Sequence, residues 1–166
     1  MTHAIRSQGS SKIKWGGAAP AETPTRASIA TAAAAVTTWL DVDEASEIKQ
    51  SGQKVTEIDV THLMSGAKEF MLGIEDSGTI DLTGNWTGST AQQQLMADKN
   101  SKQLSIYQVQ IGAGVLTNPV TFSFYAYVVE FMIPDVKVDG KVDLQAKLRI
   151  SGPVAIDYGS LTNPTF

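Results

Sequence analysis

The chain has 166 residues, no cysteine and a net charge of −4. This length suits one domain with terminal arms, and a sequence without cysteine excludes disulfides, thiolate metal sites and cysteine nucleophiles. The acidic balance argues against tight nucleic-acid binding, which needs a basic surface, and no apolar stretch reaches the ~20 residues of a membrane helix. The charge is uneven, because residues 41–81 hold three basic and ten acidic side chains.

The N-terminal part of the chain contains a short candidate strand and then a long connection. The strand covers residues 12–15. Residues 16–35 are rich in Ala, Gly, Pro and Thr, and Pro20 and Pro24 would break a helix there. The alanine run within this connection is able to form a short helix.

Alternating patterns typical of strands follow. Residues 38–48, 55–63 and 79–86 are candidate strands. Residues 65–78 contain three glycines and two adjacent acids, which predicts a long loop.

One short helix interrupts the strands. Thr90 is a candidate N-cap with Gln93 three residues later. Ala91 and Leu95 are four residues apart and share a face. Asn100 is the candidate for ending the helix in the left-handed conformation.

The C-terminal half contains the longest candidate strands, residues 121–133 and 142–151, after a strand at 104–111. Pairing Ile133 with Val142 puts two apolar sets on one face, namely Tyr125, Tyr127, Val129, Phe131 and Ile133 with Val142, Leu144, Ala146, Leu148 and Ile150. The opposite face then joins Phe124, Ala126 and Val128 to Glu130, Met132, Asp143, Gln145, Lys147 and Arg149. Because that face is too apolar for solvent and too polar for a core, the last six residues are candidates for a contact between subunits.

These patterns predict a mainly β fold, an antiparallel β-sandwich or partly closed barrel with one short α-helix. The residues predict no catalytic, cofactor or metal site. His3 and His62 are the only histidines, no two-histidine metal spacing exists, and no paired acid has a partner base. We therefore expect a protein that is not an enzyme.

Three motifs carry a family resemblance by their order. The strand end D-V-T at 59–61 leads to E-F-x-x-G-x-x-D-x-G-T at 69–79, G-N at 84–85 precedes the helix, and S-G-P-V stands at 151–154. Together they resemble the major tail tube protein of long-tailed bacteriophages, a family also present in prophages and gene-transfer particles. The resemblance covers roughly residues 37–155.

The resemblance implies an arrangement of domains and partners. Residues 1–36 would be an N-terminal arm and connecting loop, 37–155 the tail-tube β-sandwich domain, and 156–166 a C-terminal arm. The chain would form rings, usually of six subunits, stacked into a hollow tube in the tail of a virion after assembly in the host cytoplasm. DNA would pass through the lumen without specific binding. Tape-measure, tail-tip and tail-terminator proteins would be further partners, and no cofactor or membrane is implied.

Candidate contact residues follow from the strand faces and this implied tube. The lumen-facing candidates are Glu57, Asp59, Asp81 and Thr83. The candidates for contacts between rings are Lys68, Glu69, Phe70, Met71, Glu75 and Asp76, together with the terminal arms. The alternative function is a surface- or carbohydrate-binding β-sandwich module of a virion or bacterial appendage, in which Trp15, Trp39 and Trp86 would form an aromatic platform.

Overall fold

The computed structural model describes residues 11–20, 23–64, 66–113, 116–132 and 140–159. In chain order the elements are β1 (Ser11–Ala18), α1 (Arg26–Ala35), β2 (Leu40–Asp41), β3 (Ala45–Ser51), β4 (Lys54–Asp59), β5 (Phe70–Asp76), β6 (Thr79–Asn85), α2 (Thr90–Ser101), β7 (Leu104–Ile111), β8 (Val120–Met132) and β9 (Asp143–Asp157).

Seven strands form one antiparallel sheet in the order β2-β1-β7-β8-β9-β6-β3. The sheet curls until β1 and β3 come close to each other, so it is a partly closed barrel. Among the described strands, β4 and β5 pair only with each other. The predicted mainly β, antiparallel, partly closed barrel is confirmed, with two helices in place of the single one expected.

Helix α2 covers the inner face of the barrel. Its Ala91 and Leu95 are buried, as their spacing predicts, and belong to a core of fifteen buried residues. The other thirteen are Val42 and residues of five strands, β1, β6, β7, β8 and β9. The predicted caps were wrong by one or two residues. Ser89, rather than Thr90, accepts the Gln92 N–H, and Lys102 takes the left-handed conformation assigned to Asn100.

Helix α1 covers part of the opposite side of the sheet, over β8 and β9. It begins at a capping box in which Thr25 and Ser28 exchange side-chain and backbone hydrogen bonds. Its Ile29 is fully buried in a second cluster with Ile106 and Tyr125. The prolines precede this helix and do not interrupt it, so the alanine run is helical and residues 16–35 are not one continuous connection.

A bulge in β8 corrects the predicted pairing with β9. Phe131 and Ala146 share the inner face, as predicted, but they are cross-strand partners, whereas the predicted pairing put Leu144 opposite Phe131. The register also shifts between Val128 and Glu130. Beyond the shift Val128 pairs with Leu148, so Val128 is buried and Tyr127 is exposed. Ala126 and Phe124 are buried too, so the faces predicted for the part of β8 before the bulge were wrong. Ile133 lies outside the described residues.

Two other boundaries differ from the sequence patterns. The candidate strand 38–48 is split into β2 and β3 by a turn in which Glu44 has a positive φ of 56°. The predicted loop 65–78 contains β5, which pairs with β4. Its predicted loop character was wrong because an alternation of buried and exposed residues, the usual mark of a strand, is missing from β5.

A buried polar cluster fixes α2 to the sheet. The Asp98 carboxylate accepts hydrogen bonds from Trp15 Nε1 at 2.8 Å and from the Tyr107 hydroxyl at 3.0 Å. Burial raises the pKa of Tyr107 above its ordinary value, and the neighbouring Asp98 raises it further. This hydroxyl therefore favours the folded state only while it keeps its proton.

This cluster predicts a loss of stability in alkali. Because folding raises the pKa of Tyr107, its contribution is complete below the unfolded value of about 10 and declines as the pH rises above it. We expect the free energy of unfolding of the wild type to fall more steeply above about pH 10 than that of Tyr107→Phe. Urea unfolding across this range tests the prediction, with Tyr158→Phe as control. Equal slopes for wild type and Tyr107→Phe would contradict it.

Candidate assembly surfaces

The outer face of β6, β9 and the end of β8 brings together eight predicted residues. Cross-strand partners share a face of a sheet, and here Asp81 pairs with Lys147, which in turn pairs with Glu130. The next row is Thr83, Gln145 and Met132. The face is completed by Asp143 and Arg149. Two lumen-facing candidates and all six subunit-contact candidates therefore lie on one surface, which we call the outer face.

The charges of the outer face are arranged in opposite-sign neighbours. Lys147 Nζ lies 3.5 Å from a carboxylate oxygen of Asp81, and Lys141 Nζ lies 3.3 Å from Asp143. Exposed pairs of this kind add little stability. The surface is therefore strongly polar, but it has no large electrostatic field of one sign because its positive and negative charges are neighbours.

The other two lumen-facing candidates lie elsewhere, on the projecting hairpin. This is our name for residues 54–76, which comprise β4, β5 and the turn between them. Glu57 pairs with Leu72 and Asp59 pairs with Phe70. Thr61 donates its N–H to Asp59 at 2.9 Å, and hydrogen bonds from Thr61 lower the pKa of this carboxyl. The six loop residues predicted to make contacts between rings are also on this hairpin, whereas the terminal arms are not.

The projecting hairpin is exposed and carries apolar side chains on both faces. Thirteen large apolar side chains are exposed in the described part of the chain, and nine belong to the hairpin. These are Val55, Ile58, Val60, Leu63, Met64, Phe70, Met71, Leu72 and Ile74. A two-stranded hairpin is marginally stable in water, and exposed apolar patches of this kind mark interaction sites. This hairpin therefore has the composition of a buried element and the position of an exposed one.

Polar contacts hold the base of the projecting hairpin to the barrel. Arg149 Nη2 donates to Asp76 at 2.8 Å and Arg26 Nη2 donates to Glu75 at 3.1 Å. Gly78 closes the base, since its N–H donates to Asp76 and its carbonyl accepts the Ile150 N–H. Gly78 has a positive φ of 78°, and a Cβ there would collide with the Ser51 carbonyl. The hairpin thus leaves the barrel in a defined direction.

Three further exposed apolar residues lie together on β8. Tyr127, Val129 and Met132 line its outer surface, and we call them the β8 strip. Tyr127 is the cross-strand partner of Arg149, and Met132 of Gln145. The strip follows from the bulge, because an unbroken register would have turned Tyr127 and Val129 into the core. Sequence reasoning missed Tyr127 and Val129 for that reason, whereas Met132 was among the predicted subunit contacts.

The three tryptophans do not form a common platform. Trp15 donates to Asp98 beside α2, Trp86 contacts Phe131 edge to face at 5.9 Å, and Trp39 packs in the cluster with α1. The aromatic argument for carbohydrate binding therefore loses its basis.

Of the predicted terminal arms, residues 1–10 and 160–166 lie outside the described residues, as does His3. In the described part, β1 pairs with β7 inside the main sheet. The division into arms and domain remains a prediction.

Among the residues that the structure describes, no group of three or more His, Asp or Glu side chains could hold a metal ion. No helix in those ranges is long and apolar enough to cross a membrane. His62 lies in the turn of the projecting hairpin, where its Nδ1 accepts the Met64 N–H at 3.2 Å. That places it beyond β4, although it was predicted to lie on a strand.

No protein-family model matches the chain, and no curated protein matches it either. Solved structures do. A chain in the sixfold-symmetrised cryo-EM structure of the anti-feeding prophage baseplate matches with a TM-score of 0.61 and 12% identity, covering 97% of this chain and 99% of the other. A chain in the sheath/tube terminator of an extracellular contractile injection system matches with 0.62 and 12%, covering 94% and 98%.

A third match comes from the tail of an empty gene transfer agent particle, refined with C6 symmetry. Its TM-score is 0.63 at 10% identity, with 93% of this chain and 99% of the other covered. At such identities the likeness shows a shared fold. The barrel with its two helices is therefore a tail-tube-like fold, found in tails and injection systems of phage-like particles.

Proposed function

We propose that the chain is the tube subunit of a long-tailed phage or of a related prophage or gene-transfer particle. Copies of it assemble into rings of six, and the rings stack into a hollow tube in the particle's tail. The observation that carries this proposal is the projecting hairpin, because its nine exposed apolar side chains need a partner. The tail-tube-like fold and the sixfold symmetry of two matched structures support the same conclusion. The role requires no catalysis.

The outer face of β6 is proposed to line the channel. Asp81 and Thr83 are polar, and Asp81 is partly neutralised by Lys147. At physiological salt, charges act over ~8 Å, so such a wall repels DNA weakly and holds no phosphate. DNA would therefore slide past it without binding. The tape-measure, tail-tip and tail-terminator proteins are the further partners that this role requires.

Glu57 and Asp59 receive a different role from the one predicted by the sequence. They lie on the projecting hairpin, each beside an apolar partner, so we assign them to a contact between subunits. The subunit-contact candidates of β8 and β9 keep their proposed role.

Self-assembly of the full chain tests the proposal. Sedimentation velocity over a wide range of concentration is expected to show a transition from small species to large ones. Negative-stain electron microscopy of the large species is expected to show rings or hollow tubes. A chain that stays monomeric at every concentration would overturn the proposal.

A further inference from the structure

The hairpin base, our name for residues 75–78, contacts parts of the chain that are distant from it in sequence. Ser77 is only 4% exposed, and its hydroxyl donates to the Gly152 carbonyl of β9 at 2.7 Å. The Ile150 N–H of the same strand donates to the Gly78 carbonyl at 3.1 Å. Since β4 and β5 pair with no other described strand, the direction of the projecting hairpin depends on contacts at this base.

Gly152 also contacts the segment that leads into α1. It has a positive φ of 86°, and a Cβ there would lie 2.5 Å from Pro24 Cγ. Pro24 directly precedes Thr25, the N-cap of α1. The glycine of the S-G-P-V motif is therefore placed between two elements. Its carbonyl is bonded to the hairpin base, and the space that its Cβ would fill is occupied by the approach to α1.

An ion pair forms a second link between α1 and the hairpin base. Arg26, in the first turn of α1, lies 3.1 Å from Glu75, and Arg149 of β9 lies 2.8 Å from Asp76. Glu75 and Asp76 are successive residues of β5, and successive side chains of a strand point to opposite faces. The two arginines therefore hold the hairpin from opposite sides, one from the helix and one from the barrel.

We propose that residues 24–26, which we call the strap, hold the hairpin base on β9, so that the strap and the hairpin base open together as one unit. The strap acts through Pro24 on Gly152 and through Arg26 on Glu75. This inference goes beyond the proposed function, because all its contacts lie within one chain. Coupling between two sites is reciprocal, so loosening either side loosens the other. A change at the start of α1 then alters the direction in which the projecting hairpin leaves the barrel.

Hydrogen exchange at the strap tests the coupling in one direction. The full chain is measured by mass spectrometry with residue resolution, at concentrations below any self-association. The reporters are the Ser28 and Ile29 N–H groups, which both donate to Thr25. Ser77→Ala removes a hydrogen bond of the hairpin base. It is expected to raise the exchange rates of both reporters by about 2- to 10-fold.

Hydrogen exchange at the hairpin base tests the reverse direction. Arg26→Ala removes one exposed ion pair of the strap. It is expected to raise the exchange rates of the Gly78 and Ile150 N–H groups by about 1.5- to 5-fold. Gly152→Ala, which inserts a Cβ against Pro24, is expected to raise exchange on both sides at once.

Each of these variants has a matched control elsewhere in the chain. Ser46→Ala removes a hydroxyl that donates to the Thr83 carbonyl at 3.2 Å, and Lys12→Ala removes the exposed ion pair with Asp41. Gly88→Ala also places a side chain at a positive φ, of 69°, but the nearest atoms to its Cβ would be 4.0 Å away. None of the three is expected to change exchange at the strap or at the hairpin base.

A distance measurement reports the direction of the projecting hairpin itself. The chain has no cysteine, so spin labels on Leu63→Cys, in the hairpin turn, and Lys99→Cys, on α2, form one labelled pair at exposed positions. Pulsed EPR of the dilute protein is expected to give a narrow distance distribution. Adding Arg26→Ala or Gly152→Ala is expected to broaden it. An unchanged distribution in both variants would overturn the role of the strap.

The outcomes keep this inference apart from the proposed function. Reciprocal responses in a chain that never assembles would support the strap and overturn the tube. Tubes formed by a chain whose amides respond only to substitutions on their own side would overturn the strap and leave the proposed function standing. Urea unfolding of each variant separates a local response from a loss of global stability. If Gly152→Ala does not fold, Ser77→Ala and Arg26→Ala decide the result.

Discussion

Replacing Phe70 and Leu72 together with threonine is expected to abolish tube formation at working concentrations and leave the barrel folded. Both side chains are exposed in the single chain, and threonine keeps a high preference for strands. Burying a large apolar side chain contributes roughly 1.5–3 kcal/mol. Threonine retains part of that contribution, so we expect the double replacement to weaken each contact between subunits by about 2–4 kcal/mol of association free energy. This raises the critical concentration for assembly by about 30- to 1,000-fold.

The measurement compares light scattering across a concentration series with urea unfolding of the dilute protein. The free energy of unfolding should change by less than about 0.5 kcal/mol, as is usual for exposed positions. Ile156→Thr is the matched control, because Ile156 is exposed but lies outside the hairpin and the β8 strip. Unchanged assembly by the double variant would remove the projecting hairpin from the interface.

Replacing Gln92 with leucine is expected to destabilise the fold by about 3–5 kcal/mol. The side chain is fully buried. Its Oε1 accepts the N–H groups of Thr87 and Gly88, and its Nε2 donates to the carbonyls of Asp43 and Asn85. Leucine fills similar space and leaves these buried backbone groups without partners, each at a cost of about 1–3 kcal/mol.

Urea unfolding measures this loss. The adjacent Gln93→Leu is the control, because Gln93 is exposed and its side chain donates a hydrogen bond to the Gly88 carbonyl. We expect a loss below about 1 kcal/mol for it. Equal effects at the two positions would show that the buried hydrogen bonds do not hold α2 to the loop before it.

The parts of the fold that could be predicted are those with a buried and an exposed face. Strand β6 alternates regularly between the two, and α2 buries Ala91 and Leu95 at helical spacing. The order of three motifs also indicated a tail-tube-like fold. These patterns arise from burial within one chain, so a single sequence is enough to predict them.

The missed features depend on local backbone geometry or on other molecules. The bulge before Glu130 exchanges the two faces of β8 without any marker such as glycine. Glu44 adopts a positive φ although it is not glycine. Strand β5 is exposed on both faces, so it lacks the alternation that identifies a strand. In the proposed assembly another copy covers the projecting hairpin, so its exposed apolar residues match a surface of that copy and not of its own barrel.

A cryo-EM reconstruction of the assembled protein tests self-assembly most directly. We predict a hollow tube of stacked six-membered rings, with Asp81 and Thr83 facing the channel and Phe70 and Leu72 buried in a contact with a neighbouring copy. A solution that contains only separate chains at millimolar concentration, or an assembly in which the projecting hairpin points into solvent, would contradict this account.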